Sequence, residues 1–346
     1  MDTAAALDYL FGQVFSSAAG HLVLDAAGMV PVAGEVFDIA NGVWYTIEGD
    51  GASAAISFAS TIPLVYATTV KNAGKIVKLA NGTTVLVKFS KEATERLVDV
   101  LKRLDLDAAQ LKKLSDDLTD KEFAEAIAAN PELVESWKVL SNGKASLRNI
   151  DNITAVDAFR KANPNISDDA IQSAFDGLKE SRKQSFVNAL RSCADNTNLI
   201  GSLNETKLAS VDEIKDALNK IRDYRTGKTG GGNYGYLEGT VKGNGVDNKV
   251  WKSGPANTDI EPQIFDAIHV TGSNGTTWLR NTDSEYKMLN KLADDLGGVK
   301  GKTYSDVTGT LKIVSENPYC ASCQGIIQQF SEMFPNIEII LIDGIR

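Results

Sequence analysis

Two cysteines separated by two residues are the first feature of this 346-residue sequence whose spacing could support chemistry. Cys320 and Cys323 follow Pro318, and apolar residues at helical spacing come next, so we expect both thiols in the first turn of a helix. The positive end of a helix stabilises thiolates, and the thiolate is the form of cysteine that binds metal ions. The pair is therefore a candidate metal-ligating or redox site.

An acidic pair upstream is the second candidate element. Asp283 and Glu285 stand at the head of another segment with apolar residues at helical spacing. If the two helix N-termini converge, Asp283 can share one ion with Cys320 and Cys323, and Glu285 is left free beside it. Zinc with three protein ligands keeps a fourth position for water and lowers the pKa of that water to about 7. A free carboxylate can then accept and deliver protons, so the pattern predicts metal-assisted hydrolysis.

Simpler interpretations of both motifs stay open. Thr282 and Glu285 have the spacing of a helix capping box, which needs no metal. A Cys-x-x-Cys pair also occurs in redox dithiols and in structural zinc sites, so a thiol redox domain and a non-enzymatic zinc-stabilised interaction module are the alternatives. The chain has only three cysteines and two histidines, which argues against a disulfide scaffold and against a histidine-rich metal site. The third cysteine, Cys193, is predicted to be a buried apolar residue.

The C-terminal third of the chain resembles the deaminase domains of bacterial polymorphic toxins, within the cytidine-deaminase-like superfamily. The stretches that carry the resemblance are 281–289, 314–323, 329–330 and 334–337. It implies a catalytic Zn²⁺ and one proton-carrying carboxylate. The residues that match are Asp283, Cys320 and Cys323 as zinc ligands and Glu285 as the proton shuttle. The superfamily's usual first ligand is His or Cys, so the carboxylate at 283 is a departure, and a harder ligand.

Four residues are candidates for substrate binding. The resemblance implies that Asn233 and Ser253 line the base pocket. Trp278 could stack on a base and Arg280 could contact a phosphate, although a packed aromatic and a solvated arginine are equally ordinary. We expect cytosine in nucleic acid as the substrate, with adenine or a free nucleotide as alternatives. The net charge of −9 argues against a generally basic surface but leaves room for a local basic groove.

The apolar patterns predict three regions. Residues 1–90 are apolar and resemble the helical pretoxin region that precedes the toxin domain in polymorphic toxins, 91–225 form a helical spacer, and 226–346 form the deaminase-like domain. In that last region the order of elements is β-β-α-β-α-β, with the second strand at 263–270. The predicted fold is therefore an α/β domain, a mixed sheet with helices packed on it, preceded by a mainly α-helical N-terminal region.

The charge pattern and the resemblance also indicate the location and partners of the protein. No Lys or Arg precedes Lys71, so we expect no secretory signal peptide. The uncharged segment 51–70 has the length of a membrane span, but its many hydroxyl side chains favour a buried helical hairpin with at most transient membrane contact. The resemblance implies a secreted or delivered effector that acts in the cytoplasm of a target bacterium, in interbacterial competition. It also implies a cognate immunity protein.

Overall fold

A computed structural model describes three strands between residues 64 and 85 and most of residues 91–346. The gaps within the second range are 105, 107–109, 111–112, 115–116, 118–119, 141–144, 229, 255–262 and 272–274. The chain divides into two compact units, residues 1–157 and residues 158–346. The three-region division predicted with boundaries at 90/91 and 225/226 stays a prediction.

The described part of the first unit begins with an antiparallel sheet. Its strands are β1 (Leu64–Val70), β2 (Gly74–Leu79) and β3 (Thr84–Val85), in the order β1-β2-β3. The prediction of helices throughout 1–90 is therefore wrong for these strands, because alternation in β2 and β-branched residues in β1 favour extended backbone. Of the segment 51–70, residues 51–63 lie outside the described residues. Within the described residues, no helix has the length and apolar character needed to cross a membrane.

Helices make up most of the other described residues of the first unit, as predicted for the region from 91 onward. They are α1 (Lys91–Leu104), α2 (Lys121–Ala129), α3 (Leu133–Leu140) and the start of α4 (Ile150–Ala162), which continues into the second unit. At the head of α2 the side chain of Asp120 accepts a hydrogen bond from Phe123 N at 3.0 Å. Trp137 on α3 is fully buried, and its indole N–H donates to Asp117 at 2.7 Å. Both contacts are structural.

The second unit continues with four helices and one short strand before the main sheet. These elements are α5 (Asp168–Asp176), α6 (Glu180–Asp195), α7 (Thr197–Ser202), β4 (Thr206–Leu208) and α8 (Val211–Arg225). Helix α8 begins with a capping box, in which Ser210 Oγ accepts from Glu213 N at 3.2 Å and Glu213 accepts from Ser210 N at 2.9 Å. Cys193 on α6 is buried, as predicted.

The central element of the second unit is a mixed sheet. Its remaining strands are β5 (Tyr234–Val241), β6 (Asn244–Gly245), β7 (Trp251–Lys252), β10 (Thr308–Ser315) and β11 (Asn336–Ile342). The strand order is β4-β11-β10-β5-β6, and β7 also pairs with β5. Strands β4, β11 and β10 run parallel, whereas β5 is antiparallel to β10 with Gly235 opposite Ser315. The start of β5 and the end of β10 therefore lie at the same edge of the sheet.

Helices cover both faces of this sheet, which confirms the predicted α/β architecture. On one face, Leu311 and Ile339 share a core with α9 (Ser284–Asp295) and α10 (Ala321–Met333). On the other face α8 packs, since Lys220 lies 3.9 Å from the centre of the Tyr236 ring. Successive residues of a strand point to opposite faces, so the apolar runs of β10 and β11 are buried on both sides.

The strand predicted at 263–270 is largely wrong. Only His269–Thr271 (β8) is extended, and it pairs with Thr277–Leu279 (β9) in a separate two-stranded hairpin. The N–H groups of Ile264 and Phe265 instead donate to Asn290 Oδ1 on α9, at 2.8 and 3.1 Å. One buried amide thus satisfies backbone groups that the alternating pattern had suggested for a strand. The other five elements of the predicted β-β-α-β-α-β order are confirmed, as β5, α9, β10, α10 and β11.

Candidate active site

Two helix N-termini meet beside the edge where β5 begins and β10 ends. Asp283 is the N-cap residue of α9 and Cys320 is the N-cap residue of α10, and neither side chain makes a capping hydrogen bond. The capping box expected as an alternative for Thr282 and Glu285 is wrong, because the helix begins one residue later than that motif requires. Both N-cap side chains are therefore available for another partner.

Asp283, Cys320 and Cys323 form a cluster that suits a metal ion. One ligand atom from each residue lies within 4.8 Å of the other two, and the two sulfur atoms are 3.1 Å apart. Asp283 and Cys323 are buried and Cys320 is half-buried. Zinc bonds to cysteine sulfur at about 2.3 Å and to carboxylate oxygen at about 2.0–2.2 Å, so one ion can reach all three atoms. The predicted ligands are thus brought together, with two soft donors and one hard donor.

The protonation of this cluster is set by its own contacts. The hydrogen bond with Cys323 and the nearby Arg280 guanidinium lower the pKa of Cys320 to about 5. The pKa of Cys323 is raised, because it shares that hydrogen bond and is buried. Burial raises the pKa of Asp283 to about 6, and Arg280 opposes that shift. Without an ion the pair therefore holds one thiolate and one thiol, and metal binding must displace the remaining proton.

Arg280 contacts two of the three candidate ligands. Its Nε donates to Asp283 Oδ2 at 2.9 Å, and its Nη2 donates to Cys320 Sγ at 3.5 Å. The backbone N–H of Arg280 donates to Ile268 O at 2.9 Å, which fixes the residue at the end of β9. The sequence suggested a phosphate contact or a solvated side chain, and the structure places the guanidinium against the ligand cluster.

Glu285 is buried beside the cluster, with 1% of its surface exposed. Its Oε1 accepts from Asn233 Nδ2 at 2.9 Å and its Oε2 accepts from Ser284 Oγ at 3.1 Å. The same Asn233 amide lies 2.9 Å from Ser315 Oγ, and its Oδ1 accepts from Asn317 N at 2.9 Å. Asn233 precedes β5 and Ser315 ends β10, so the antiparallel register brings them together. This network fixes the orientation of the carboxylate that the sequence predicts as proton shuttle.

The loop that carries Ser253 is tied to Asn233 and to α9. Ser253 Oγ accepts from Asn233 N at 2.7 Å, and Ser253 N donates to Asn233 O at 2.8 Å. Lys287 on α9 is 1% exposed, and its ammonium donates to the carbonyls of Lys252 and Gly254 at 2.7 and 2.9 Å. A lysine on the buried face of a helix needs such partners. Its neighbours at helical spacing, Asp283, Ser284, Asn290 and Lys291, are all polar, so the sequence pattern does not indicate this burial.

The remaining predicted residue, Trp278, lies on β9 opposite Val270 and is 42% exposed. An exposed indole does not fit the alternative of a packed aromatic side chain. Behind the cluster, Asp343 accepts from Tyr319 N at 2.6 Å and from Asn196 Nδ2 at 2.8 Å, which holds the backbone directly before Cys320. Burial raises the pKa of Asp343 to about 6. Sequence reasoning assigned no role to Ser284, Lys287, Ser315, Asn317 and Asp343, although the first four lie within the stretches that carry the resemblance.

Comparison with known proteins agrees with this geometry. The sequence model of the Toxin-deaminase family, described as the BURPS668_1122 family of deaminases, matches residues 208–343. No curated protein and no solved structure matches the chain. The matched residues contain both helix N-termini, Asn233 and Glu285. The pretoxin-like region predicted at 1–90 lies outside the match and stays a prediction. Residues 208–343 are therefore a domain of the Toxin-deaminase family, and the chemistry of that family is hydrolytic deamination.

Proposed function

We propose that this domain is a zinc-dependent deaminase of cytosine in nucleic acid. The observation that carries the proposal is the cluster of Asp283, Cys320 and Cys323 next to a buried carboxylate, Glu285, that Asn233 holds in place. Three ligand residues and one separate acid match what hydrolytic deamination needs: an ion with an open position and a group that moves protons.

The residues divide the work between binding and proton transfer. Asp283, Cys320 and Cys323 would hold the ion, which supplies a nucleophilic water at neutral pH. Glu285 accepts a proton from the attacking water and delivers it to the base as the carbon–oxygen bond forms. Glu285 then carries the proton of the newly formed hydroxyl group to the amino group, the carbon–nitrogen bond breaks, ammonia leaves, and the carbon that carried the amino group becomes a carbonyl. Because Asn233 and Ser284 each bind one oxygen of Glu285, the carboxylate needs no reorientation during these transfers.

The features around the site support a base within nucleic acid. The exposed indole of Trp278 offers a stacking surface, and Ser253 and Asn233 lie at the edge where Glu285 is held. Adenine and free nucleotides are the competing substrates. We also propose that the chain is a delivered effector in interbacterial competition, acts in the cytoplasm of a target bacterium and is neutralised by an immunity protein. The support for this role is that the matching family is named Toxin-deaminase.

The alternative of a purely structural zinc module is less well supported. Within the described part of the chain the cluster contains three ligand residues, whereas structural zinc sites have four. A structural site also gives no reason to bury Glu285 and fix both of its oxygens. The thiol redox alternative predicts that Glu285 is dispensable, so one substitution separates it from deamination.

That substitution is Glu285→Gln, which keeps shape but removes proton transfer. We expect ammonia release from single-stranded oligonucleotides to fall by about 10²–10⁴-fold, the usual contribution of general acid–base catalysis, with zinc content unchanged. Glu332→Gln is the matched control, since Glu332 is an exposed residue of α10. A Glu285→Gln chain that releases ammonia as fast as the parent would refute the proposal.

The substrate and the biological role are tested in cells. DNA and RNA from bacteria that express the full chain should carry C-to-T changes, which the Glu285→Gln chain should not produce. A-to-G changes would identify adenine instead. If both nucleic acids are unchanged while cytidine nucleotides release ammonia in vitro, free nucleotides are the substrate. Growth should stop with the parent and continue with the Glu285→Gln chain; equal growth would contradict the role as a toxin.

A further inference from the structure

The candidate ligands carry more negative charge than a divalent ion neutralises. A carboxylate from Asp283 and thiolates from Cys320 and Cys323 together carry three negative charges, so a site with Zn²⁺ retains one. Asp283 and Cys323 are buried, and an unpaired charge is costly where water is excluded. A cation beside the ligands would therefore strengthen metal binding.

Arg280 meets this need, and its geometry is specific. The guanidinium donates to Asp283 Oδ2 from Nε and to Cys320 Sγ from Nη2, so two edges of one fork contact two ligands. Only 28% of the Arg280 side chain is exposed, which keeps the ion pair partly out of water. Asp283 Oδ2 accepts one of these hydrogen bonds, and the carboxylate keeps further lone pairs with which it could bind an ion.

We propose that Arg280 is a positioning residue of the metal site, which balances the charge of the Asp/Cys/Cys ligand set and orients Asp283. This inference rests on the proposed zinc site and assigns Arg280 a role other than the phosphate contact predicted from the sequence. Partners of metal ligands typically change metal affinity by about 10–100-fold when they are removed. The guanidinium would matter because the ligand at position 283 is a carboxylate, and it would matter much less for a neutral ligand.

The test measures zinc affinity, by competition with a chromophoric chelator, on the full chain carrying Glu285→Gln to prevent turnover. In this background Arg280→Gln should weaken zinc binding about 10–100-fold. Arg280→Lys keeps the charge and loses the fork, so its loss should be smaller. Asp283→His replaces the carboxylate with a neutral imidazole, and there Arg280→Gln should change zinc affinity by less than about threefold. An equal loss in both backgrounds, or no loss in the first, would overturn the proposal.

The outcomes also separate this inference from the proposed function. If the Glu285→Gln chain itself binds no zinc, both the zinc enzyme and the role of Arg280 are refuted. If it binds zinc and Arg280→Gln does not weaken that binding, only the role of Arg280 falls. In chains with Glu285 intact, unchanged zinc affinity with a raised KM for oligonucleotides in Arg280→Gln would instead establish the phosphate contact. The Arg280→Lys chain guards against a trivial loss of folding in Arg280→Gln.

Discussion

Asn233→Asp is the most informative perturbation of this site, because it changes one atom in the centre of the network. The amide Nδ2 of Asn233 lies 2.9 Å from Glu285 Oε1 and is its donor. The substitution puts a carboxylate oxygen in that position, so a hydrogen bond becomes a contact between two acids. Shape and volume are almost unchanged, and any effect is therefore electrostatic.

Two costs compete, and their sizes decide what the variant does. Two negative charges 2.9 Å apart repel by about 6 kcal/mol at an effective dielectric constant of ~20. Keeping the introduced carboxyl protonated at pH 7 costs about 4 kcal/mol, since an unperturbed carboxyl group has a pKa near 4 and each pKa unit is ~1.36 kcal/mol. Protonation is cheaper, so the native variant binds one proton that its unfolded state does not. Its stability therefore falls as pH rises, from a penalty of about 1.4 kcal/mol at pH 5 to about 4 kcal/mol at pH 7.

Thermal unfolding in chelator at pH 5 and pH 7 measures this penalty, with the parent chain as reference. A loss of ~4 kcal/mol lowers the Tm of a unit of this size by roughly 8–16 °C, and at pH 5 the shift should be about a third of that. Asn233→Ala is the control for pH dependence, since it removes all side-chain hydrogen bonds of Asn233 without adding an acid, and its penalty should be the same at both pH values. If the stability loss of Asn233→Asp is the same at pH 5 and at pH 7, as expected for Asn233→Ala, then Asn233 does not face Glu285 as described.

Three further predictions address the ligands, the sheet and the backbone behind the site. Cys323→Ala should lose most of the bound zinc by elemental analysis, whereas Cys193→Ala should keep it, because only the first thiol belongs to the cluster; equal retention would remove Cys323 as a ligand. Gly239→Ala should unfold at a much lower denaturant concentration than Gly243→Ala. Both glycines have a positive φ, and that backbone strain alone costs an alanine about 1–2 kcal/mol, but only at Gly239 would the added Cβ clash with Thr310 O. In the parent, the raised pKa of Asp343 (about 6) makes the folded state bind extra protons between pH ~4 and 6, so this group should lower stability by up to about 3 kcal/mol as pH rises through that range. Asp283, whose pKa is also raised to about 6, adds a slope of its own in the metal-free chain; Asp343→Asn should therefore show a shallower slope than the parent, and an identical slope would contradict the assignment.

The sequence predicted the parts of the site that depend on local spacing. Cys320 and Cys323 on a helical first turn, and Asp283 at the start of another helix, follow from proline, polar and apolar positions alone. The convergence of the two helices rested on the resemblance and on chemistry, because local spacing carries no distance between 283 and 320. Only the packing of α9 and α10 on one face of the sheet brings them within 4.8 Å.

Contacts that depend on the register between strands could not be predicted from local spacing. Asn233 meets Ser315 because β5 and β10 are antiparallel with Gly235 opposite Ser315, and no property of either residue indicates that pairing. The strand error at 263–270 has a similar cause, since the alternating pattern was real but Asn290, on a distant helix, supplies the hydrogen-bond acceptor for Ile264 and Phe265. Local patterns identify which residues can be buried, and tertiary contacts decide what satisfies their backbone groups.

The wrong prediction at Thr282 and Glu285 indicates how this site is built. An N-cap side chain that binds its own helix is typically worth about 1 kcal/mol, yet neither Asp283 nor Cys320 makes that bond. Glu285 is the second residue of α9, one position short of a capping-box acid, and its carboxylate lies inside the domain, where Asn233 and Ser284 bind it. Helix α8 shows that this chain forms a regular capping box where no chemistry is required, at Ser210. Two helices that give up local stabilisation at the same place, around one buried acid, are what a site selected for metal binding and proton transfer would require.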